Sequence, residues 1–250
     1  MASLTLDGVS SGSLAKRWGV PQVGLFDSLG STLDSIHELG NAGAPSGTVV
    51  IADVQTAGRG REGRTWRSPM GGLWLGALLR PQTSDVSVYS IRVGLVLADA
   101  IDEVLGRAVA RVKWPNDVVL ADRKVAGILC EGRWHGEALH WLAIGIGCNV
   151  ANEIPPDVAG VATRLVDHRS GATRLDLCDR LVPALPRLGA AGLRLTDAEL
   201  TAFGSRNWLF GRQIRAPLAG KVIGLEGNGA LLVETAQGRQ TVREGHVALA

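Results

Sequence analysis

A chain of 250 residues, 46% hydrophobic and 20% charged, is long enough for a sizeable core and has an ordinary globular balance. A formal net charge of +2 excludes nucleic-acid binding driven by bulk electrostatics. The three cysteines, Cys130, Cys148 and Cys178, form no C-x-x-C pair and are odd in number, which argues against a disulfide framework or a zinc knuckle and fits a reducing compartment. The N-terminus shows no signal-peptide pattern and no apolar run reaches membrane-spanning length, so a cytoplasmic protein is expected.

In chain order, residues 1–20 are rich in Ser and Gly and read as a flexible N-terminal segment. A strand is predicted at 23–29, then a helix N-capped by Ser31 and ending near Gly40. Residues 48–54 read as a buried strand, 55–72 as a glycine-rich loop, 73–79 as a strand and 88–105 as a long helix. Strands follow at 109–112, 118–120, 124–131 and 139–146, with Asp122-Arg123 as a hairpin tip. Residues 175–204 read as helical, interrupted by Pro183 and Pro186. Strands, one long helix and more strands predict an α+β fold: a mixed sheet with helices on one face. Short β segments at 213–217, 221–226, 230–234, 239–243 and 246–249, with Gly227-Asn228-Gly229 as a turn, predict a small C-terminal SH3-like barrel. The expected domains are 21–205 for the main unit and 206–250 for the barrel.

Four segments carry chemistry. Between Arg59 and Arg67 lie four arginines and one glutamate, a local charge of +3 in nine residues. In Gly58-Arg59-Gly60-Arg61-Glu62-Gly63-Arg64-Thr65-Trp66, glycines let backbone N–H groups turn toward one anion, arginines grip phosphate, and Trp66 offers a flat face. The same run also reads as a flexible basic segment without a defined ligand. In Lys113-Trp114-Pro115-Asn116-Asp117, Asn116 and Asp117 offer hard oxygens for Mg²⁺, or form a plain turn. Lys124, opening Arg123-Lys124-Val125-Ala126-Gly127-Ile128-Leu129, either projects into a pocket or snorkels from a strand end. The glycines of Gly145-Ile146-Gly147-Cys148-Asn149 mark a close ligand approach or a bulge. No Walker A motif and no strand-borne G-x-G-x-x-G is present, so any ATP site is of another kind.

Together these segments, with Gln55-Thr56-Ala57 leading into the first and Val150 closing the fourth, resemble the biotin protein ligases over roughly residues 23–250. The resemblance implies a class II synthetase-like, biotin–lipoate ligase catalytic domain. It implies activation of biotin with ATP and Mg²⁺ as biotinyl-5′-AMP, then transfer to a lysine of a biotin carboxyl carrier protein domain. It implies that Ser31, Thr32, Gln55, Gly58, Arg59, Lys124 and Gly127 bind biotin. Arg59, Arg61, Arg64, Trp66, Lys113, Asn116, Asp117 and Asn149 would serve ATP and the adenylate. Lys124 and Arg61 would be catalytic, and Asn116 and Asp117 would face the metal. Where the family usually continues Ser-Thr with Asn, this chain has Leu33 and then Asp34. No N-terminal DNA-binding domain is expected, hence no DNA partner and no repressor activity; a homodimer is left open. The rivals are a lipoate or octanoate ligase of the same fold, a nucleic-acid-binding module using the Gly/Arg loop, and an SH3-like scaffold on a dead ligase domain.

Overall fold

The computed structural model describes residues 4–82 and 86–250. The expected flexible segment is ordered over its described part; residues 1–3 lie outside the described residues. β1 (Thr5–Leu6) and β2 (Val9–Ser10) pair across Asp7-Gly8, both with positive φ, as a two-residue hairpin turn requires. α1 (Ser11–Trp18) follows and ends on Gly19 in the left-handed conformation. Leu6, Leu14 and Trp18 are buried. The Trp18 indole donates to Asp179 at 2.8 Å, and Asp7 accepts from the Leu175 N–H at 2.9 Å. Burial of these three side chains docks a segment whose Ser and Gly content had suggested disorder.

The centre of the molecule is a seven-stranded mixed sheet of β3 (Val23–Leu29), β4 (Val49–Gln55), β5 (Leu73–Leu79), β6 (Arg111–Lys113), β7 (Asp117–Leu120), β8 (Arg123–His135) and β9 (Ala138–Cys148). Its order is β3-β4-β5-β9-β8-β7-β6. β3 and β4 run parallel through the crossover helix α2 (Thr32–Asn41); the other neighbours are antiparallel. The mixed α+β sheet is as the sequence predicts. β8 and β9 are longer than expected because their paired ends extend to His135 and Ala138.

Helices cover both faces of this sheet, not one. Leu75, Ile146 and Ile128 form a cross-strand row on the face of α3 (Tyr89–Leu105), whose Gly94 lies against Val112 and Ile128. Strand alternation turns Gly76, Gly145, Gly127 and Gly147 to the opposite face. There the missing side chains admit α2. A Cβ on Gly76 would stand 2.7 Å from Ile36, and one on Gly145 would stand 2.9 Å from Leu33. α2 therefore buries its own apolar stripe away from α3, and only part of the glycine face is left uncovered.

The segment predicted helical at 175–204 divides into α4 (Arg174–Leu181), a 3₁₀ stretch (Val182–Ala190) holding both prolines, and α5 (Asp197–Arg206). Proline lacks the N–H that would continue the α-helical ladder. Beyond α5, β10 (Gln213–Ala216), β11 (Gly220–Leu225), β12 (Leu231–Thr235), β13 (Gly238–Val242) and β14 (Ala248–Leu249) form one antiparallel sheet in the order β13-β12-β11-β10-β14.

Trp114 ties this unit to the main sheet, and Arg92 ties the segment ahead of it to α3. The buried Trp114 indole donates to the Gly229 carbonyl at 2.9 Å. Arg92 of α3, 1% exposed, donates to Glu199 at 2.7 Å and to the Gly192 and Arg194 carbonyls, each at 2.7 Å. Burial pushes the Glu199 carboxyl up, but hydrogen bonds from Arg92 and the Thr196 N–H outweigh it and leave the group below its ordinary value. That stability is present above the unfolded carboxyl pKa and is lost as pH falls through the depressed folded value. Glu199→Gln is expected to lower the unfolding free energy by about 2 kcal/mol at pH 7. In denaturant titrations the gap to the unsubstituted chain should close as the solution is acidified.

Candidate active site

The floor of the site is a row across the glycine face. Lys113, Asp117, Gly127, Gly147 and Trp74 are successive cross-strand partners on β6, β7, β8, β9 and β5. Side chains paired in register share a face, so Gly127 and Gly147 leave a flat depression between Asp117 and Trp74. Trp66 from the loop fills it. A Cβ on Gly147 would stand 2.4 Å from Trp66 Nε1, and one on Gly127 would stand 3.0 Å from Trp66 Cζ3. The Trp66 ring meets Trp74 edge-on at 6.5 Å. The glycines thus accommodate the loop's own tryptophan.

Lys124 reaches the same depression through a bulge. Between β7 and β8 the register shifts after Val118, so that Val119 faces Lys124. One extra residue in β8 turns Lys124 onto the face of Asp117 and Gly127. Its Nζ pairs with Asp117 Oδ1 at 2.6 Å and lies 4.9 Å from the Trp66 ring centroid. Beyond the end of β9, the 161–163 segment holds the Lys124 backbone: Lys124 N donates to Val161 O at 2.8 Å, and Thr163 N donates to Lys124 O at 2.9 Å.

At the α2 end, Ser31 N-caps the helix, as predicted, accepting from the Leu33 N–H at 3.3 Å. Gln55 Oε1 accepts from the Thr32 N–H at 2.9 Å and the Thr32 hydroxyl at 3.1 Å, while its amide donates to Ser68 at 2.7 Å. The Gln55 amide is thereby oriented from both ends. At the other end, the Asn116 amide donates to Ile128 O at 2.8 Å and Asn149 Oδ1 accepts from Asn152 at 3.1 Å. Burial lowers the Lys113 ammonium pKa; nearby Asp117 opposes this, whereas Lys124 and Arg64 add to the lowering.

The loop is a narrow ribbon. Trp66 N donates to Gly58 O, Gly60 N donates to Arg64 O, and Arg59 bridges Thr65 across it. The tip, Arg61–Gly63, is a 3₁₀ turn with positive φ at Glu62 and Gly63. Arg59 is engaged by two carboxylates, Asp34 at 2.9 Å and Glu131 at 3.1 Å. Glu131 also meets His37 Nε2 at 3.0 Å. The Trp141 indole donates to His37 Nδ1 at 3.2 Å, so the ring hydrogen facing Glu131 sits on Nε2. Arg59 therefore ties the loop to α2 and β8, with its charge already matched. Arg61, among the described residues, has no ion-pair partner and lines the cavity.

Most of these groups border one cavity of about 460 Å³, while Asp34, His37, Glu131, Ser68 and Trp74 support it from outside the lining. It crosses the sheet from Gln55 on β4 to Lys113 on β6, five strand spacings or about 24 Å. Of the residues singled out in the sequence, Gly58 alone stands behind the wall; its lack of a Cβ makes room for the Trp66 carbonyl. The sequence reading missed three parts of the lining. Leu33 and Leu129, around the Gly145 already marked by the fourth motif, give it an apolar section beside α2; Val158 and Val161 close one side; His246 reaches it from the C-terminal unit. The first part was legible in the motifs themselves, whereas the last two come from segments with no distinctive pattern. Among the described residues no group of three or more His, Cys, Asp or Glu side chains is placed to hold a metal.

Residues 25–149 match the Biotin/lipoate A/B protein ligase family. The chain is 31% identical over 237 residues to the bifunctional ligase/repressor BirA of Bacillus subtilis, covering 89% of this chain and 72% of that protein. It is 33% identical over 222 residues to the biotin–[acetyl-CoA-carboxylase] ligase of Paracoccus denitrificans, covering 79% of this chain and 88% of that one. The biotin protein ligase of Aquifex aeolicus, solved in complex with biotin and ATP, superposes with a TM-score of 0.76 at 27% identity over 92% of this chain and 99% of that chain. Half of the chain lies in the matched region and the relatives extend over most of the rest: the protein belongs to the biotin/lipoate A/B protein ligase family.

Proposed function

We propose that the chain activates biotin with ATP as biotinyl-5′-AMP and passes the biotinyl group to a lysine of a biotin carboxyl carrier protein domain. The observation that carries this reading is the convergence of four distant segments on one elongated cavity. A polar amide cluster stands at one end, an apolar section beside it, and Lys124 with Asp117 in the middle. That sequence of surfaces suits a ureido ring, an alkyl chain and a carboxylate in turn. The Paracoccus denitrificans and Aquifex aeolicus relatives are biotin ligases, which favours biotin over lipoate.

In this reading Ser31, Thr32 and Gln55 hydrogen-bond the ureido ring, with Gln55 held in place by Thr32 and Ser68. The ribbon of Gly58 and Arg59 closes over biotin, Arg59 acting through its carboxylate anchors. Gly127, bare of a side chain, seats Trp66 and Lys124 beside the biotin chain. Lys124 meets the biotin carboxylate and the α-phosphate. Arg61, whose charge is unmatched by an ion pair among the described residues, takes the phosphate as well. Arg64, Lys113 and Asn149 border the nucleotide, and Trp66 lies on the floor beside Lys124 and the acyl phosphate.

Attack of the carboxylate oxygen on the α-phosphorus forms the mixed anhydride and expels pyrophosphate. Negative charge builds on the phosphate oxygens, and fixed cations stabilise it. A magnesium ion bound to the nucleotide would add to that stabilisation. With one carboxylate, Asp117, and the free oxygen of Asn116, the donor set fits an ion carried mainly by phosphates. The acceptor lysine amine then attacks the acyl carbon, and AMP leaves. Trp66 and the ribbon shield the anhydride from water until that step.

Residues 21–205 would form the catalytic unit and 206–250 a small unit of SH3-like type. Among the described residues no helix is long and apolar enough to cross a membrane. The three cysteines are free, and with the need for ATP they support a cytoplasmic setting.

Lys124→Ala is expected to lower biotin-dependent ATP–pyrophosphate exchange by about a hundredfold or more, while thermal unfolding shifts by only a few degrees. Near-normal exchange in that variant would refute the role. Gly147→Ala inserts a methyl at the Trp66 indole and should lift the tryptophan from its floor. Calorimetry is expected to show biotin binding weakened about tenfold, with the fold retained.

A further inference from the structure

One aromatic side chain outside the four motifs braces the nucleotide end of the cavity. Trp208 lies between α5 and β10 and is held by three groups. Its N–H donates to Val112 O at 3.0 Å, and its indole donates to Asp122 Oδ1 at 2.6 Å. Arg212 stacks on its ring at 4.0 Å and donates to the same Asp122 oxygen at 2.9 Å. Asp122 sits in the tight turn between β7 and β8, the two strands that carry Asp117 and Lys124. The Lys113 ammonium lies 5.3 Å from the centroid of this anchored ring.

An aromatic face holds an ammonium differently from a carboxylate. It attracts the cation through its quadrupole and leaves the full positive charge available to a further anion. The nearest carboxylate to Lys113 along the floor, Asp117, is already engaged at 2.6 Å by Lys124. Lys113 is therefore fixed in position at the end of the cavity opposite Gln55, with no carboxylate of its own among the described residues.

We propose that Trp208 is a positioning residue for the nucleoside triphosphate: it holds Lys113 where the polyphosphate lies during adenylation. The inference rests on the ligase reading above and deepens it. It also gives the C-terminal unit a part in nucleotide binding, because the linker that carries Trp208 leads directly into β10.

The test is ATP–pyrophosphate exchange by Trp208→Leu, Trp208→Phe, Lys113→Met and the double variant Lys113→Met/Trp208→Leu, with biotin affinity measured separately without nucleotide. Trp208→Leu is expected to raise KM for ATP about fivefold with biotin affinity unchanged. Trp208→Phe, which keeps a ring face and loses the indole N–H, should recover most of that loss. In the Lys113→Met background the leucine substitution should add no further increase. If Trp208→Leu fails to fold, the phenylalanine variant decides: a KM for ATP near that of the unsubstituted chain supports the proposal, and a loss as large as that of Lys113→Met contradicts it. An unchanged KM in folded Trp208→Leu, or an equal rise with and without Lys113, would overturn it. Absence of biotin-dependent exchange in the unsubstituted chain would instead overturn the ligase reading itself.

Discussion

The Lys124–Asp117 ion pair, 2.6 Å long on the glycine face of the sheet, is the contact on which the arrangement of the site depends. A lysine at that position in a regular strand would point to the α3 face and into the core. The bulge between β7 and β8 turns it over, and Asp117, two strands from β9, receives it. Gly127 and Gly147 then keep the adjacent floor bare, so that Trp66 can lie beside the ammonium. A larger residue at either glycine would exclude the tryptophan, and without it the loop would lose its seat on the sheet.

This geometry separates the cations by task. Arg59 is matched by Asp34 and Glu131 and serves to attach the ribbon to α2 and β8. Lys124 shares Asp117 at the centre of the cavity. Arg61 and Lys113 border the cavity with no carboxylate of their own among the described residues. An anionic ligand would therefore meet a graded surface, with the least compensated charges beyond the centre toward Lys113 and the oriented amides of Thr32 and Gln55 at the other end. The site is asymmetric along its length, as a ligand with a neutral ring and a charged tail requires.

Much of this was legible from residues with strong local meaning. Ser31 before an apolar helix, the glycine-rich run 58–63, and Pro115 between two short strands each carry backbone constraints that sequence displays directly. The α+β order and the mixed sheet followed from element succession. What was not legible depends on long-range packing. The chain's opening read as flexible because serines and glycines are scattered through it, yet Asp7-Gly8 makes a hairpin and Leu6, Leu14 and Trp18 find a core. Helices were expected on one face because nothing in α2 reveals that Gly76 and Gly145 stand opposite it. The anchoring of Arg59 was hidden because its partners, Asp34 and Glu131, are distant from it in sequence. The walls supplied by Val158, Val161 and His246 carry no pattern at all.

The central claim is that Lys124 and Arg61 converge on one acyl phosphate, with the ring of biotin at Gln55. A structure of the chain bound to biotinyl-5′-AMP tests it most directly. The account predicts phosphate oxygens within hydrogen-bond distance of both Lys124 Nζ and the Arg61 guanidinium, and the ureido ring on Thr32 and Gln55. A phosphate lying away from Lys124, or a ureido ring at the Asn149 end, would contradict it.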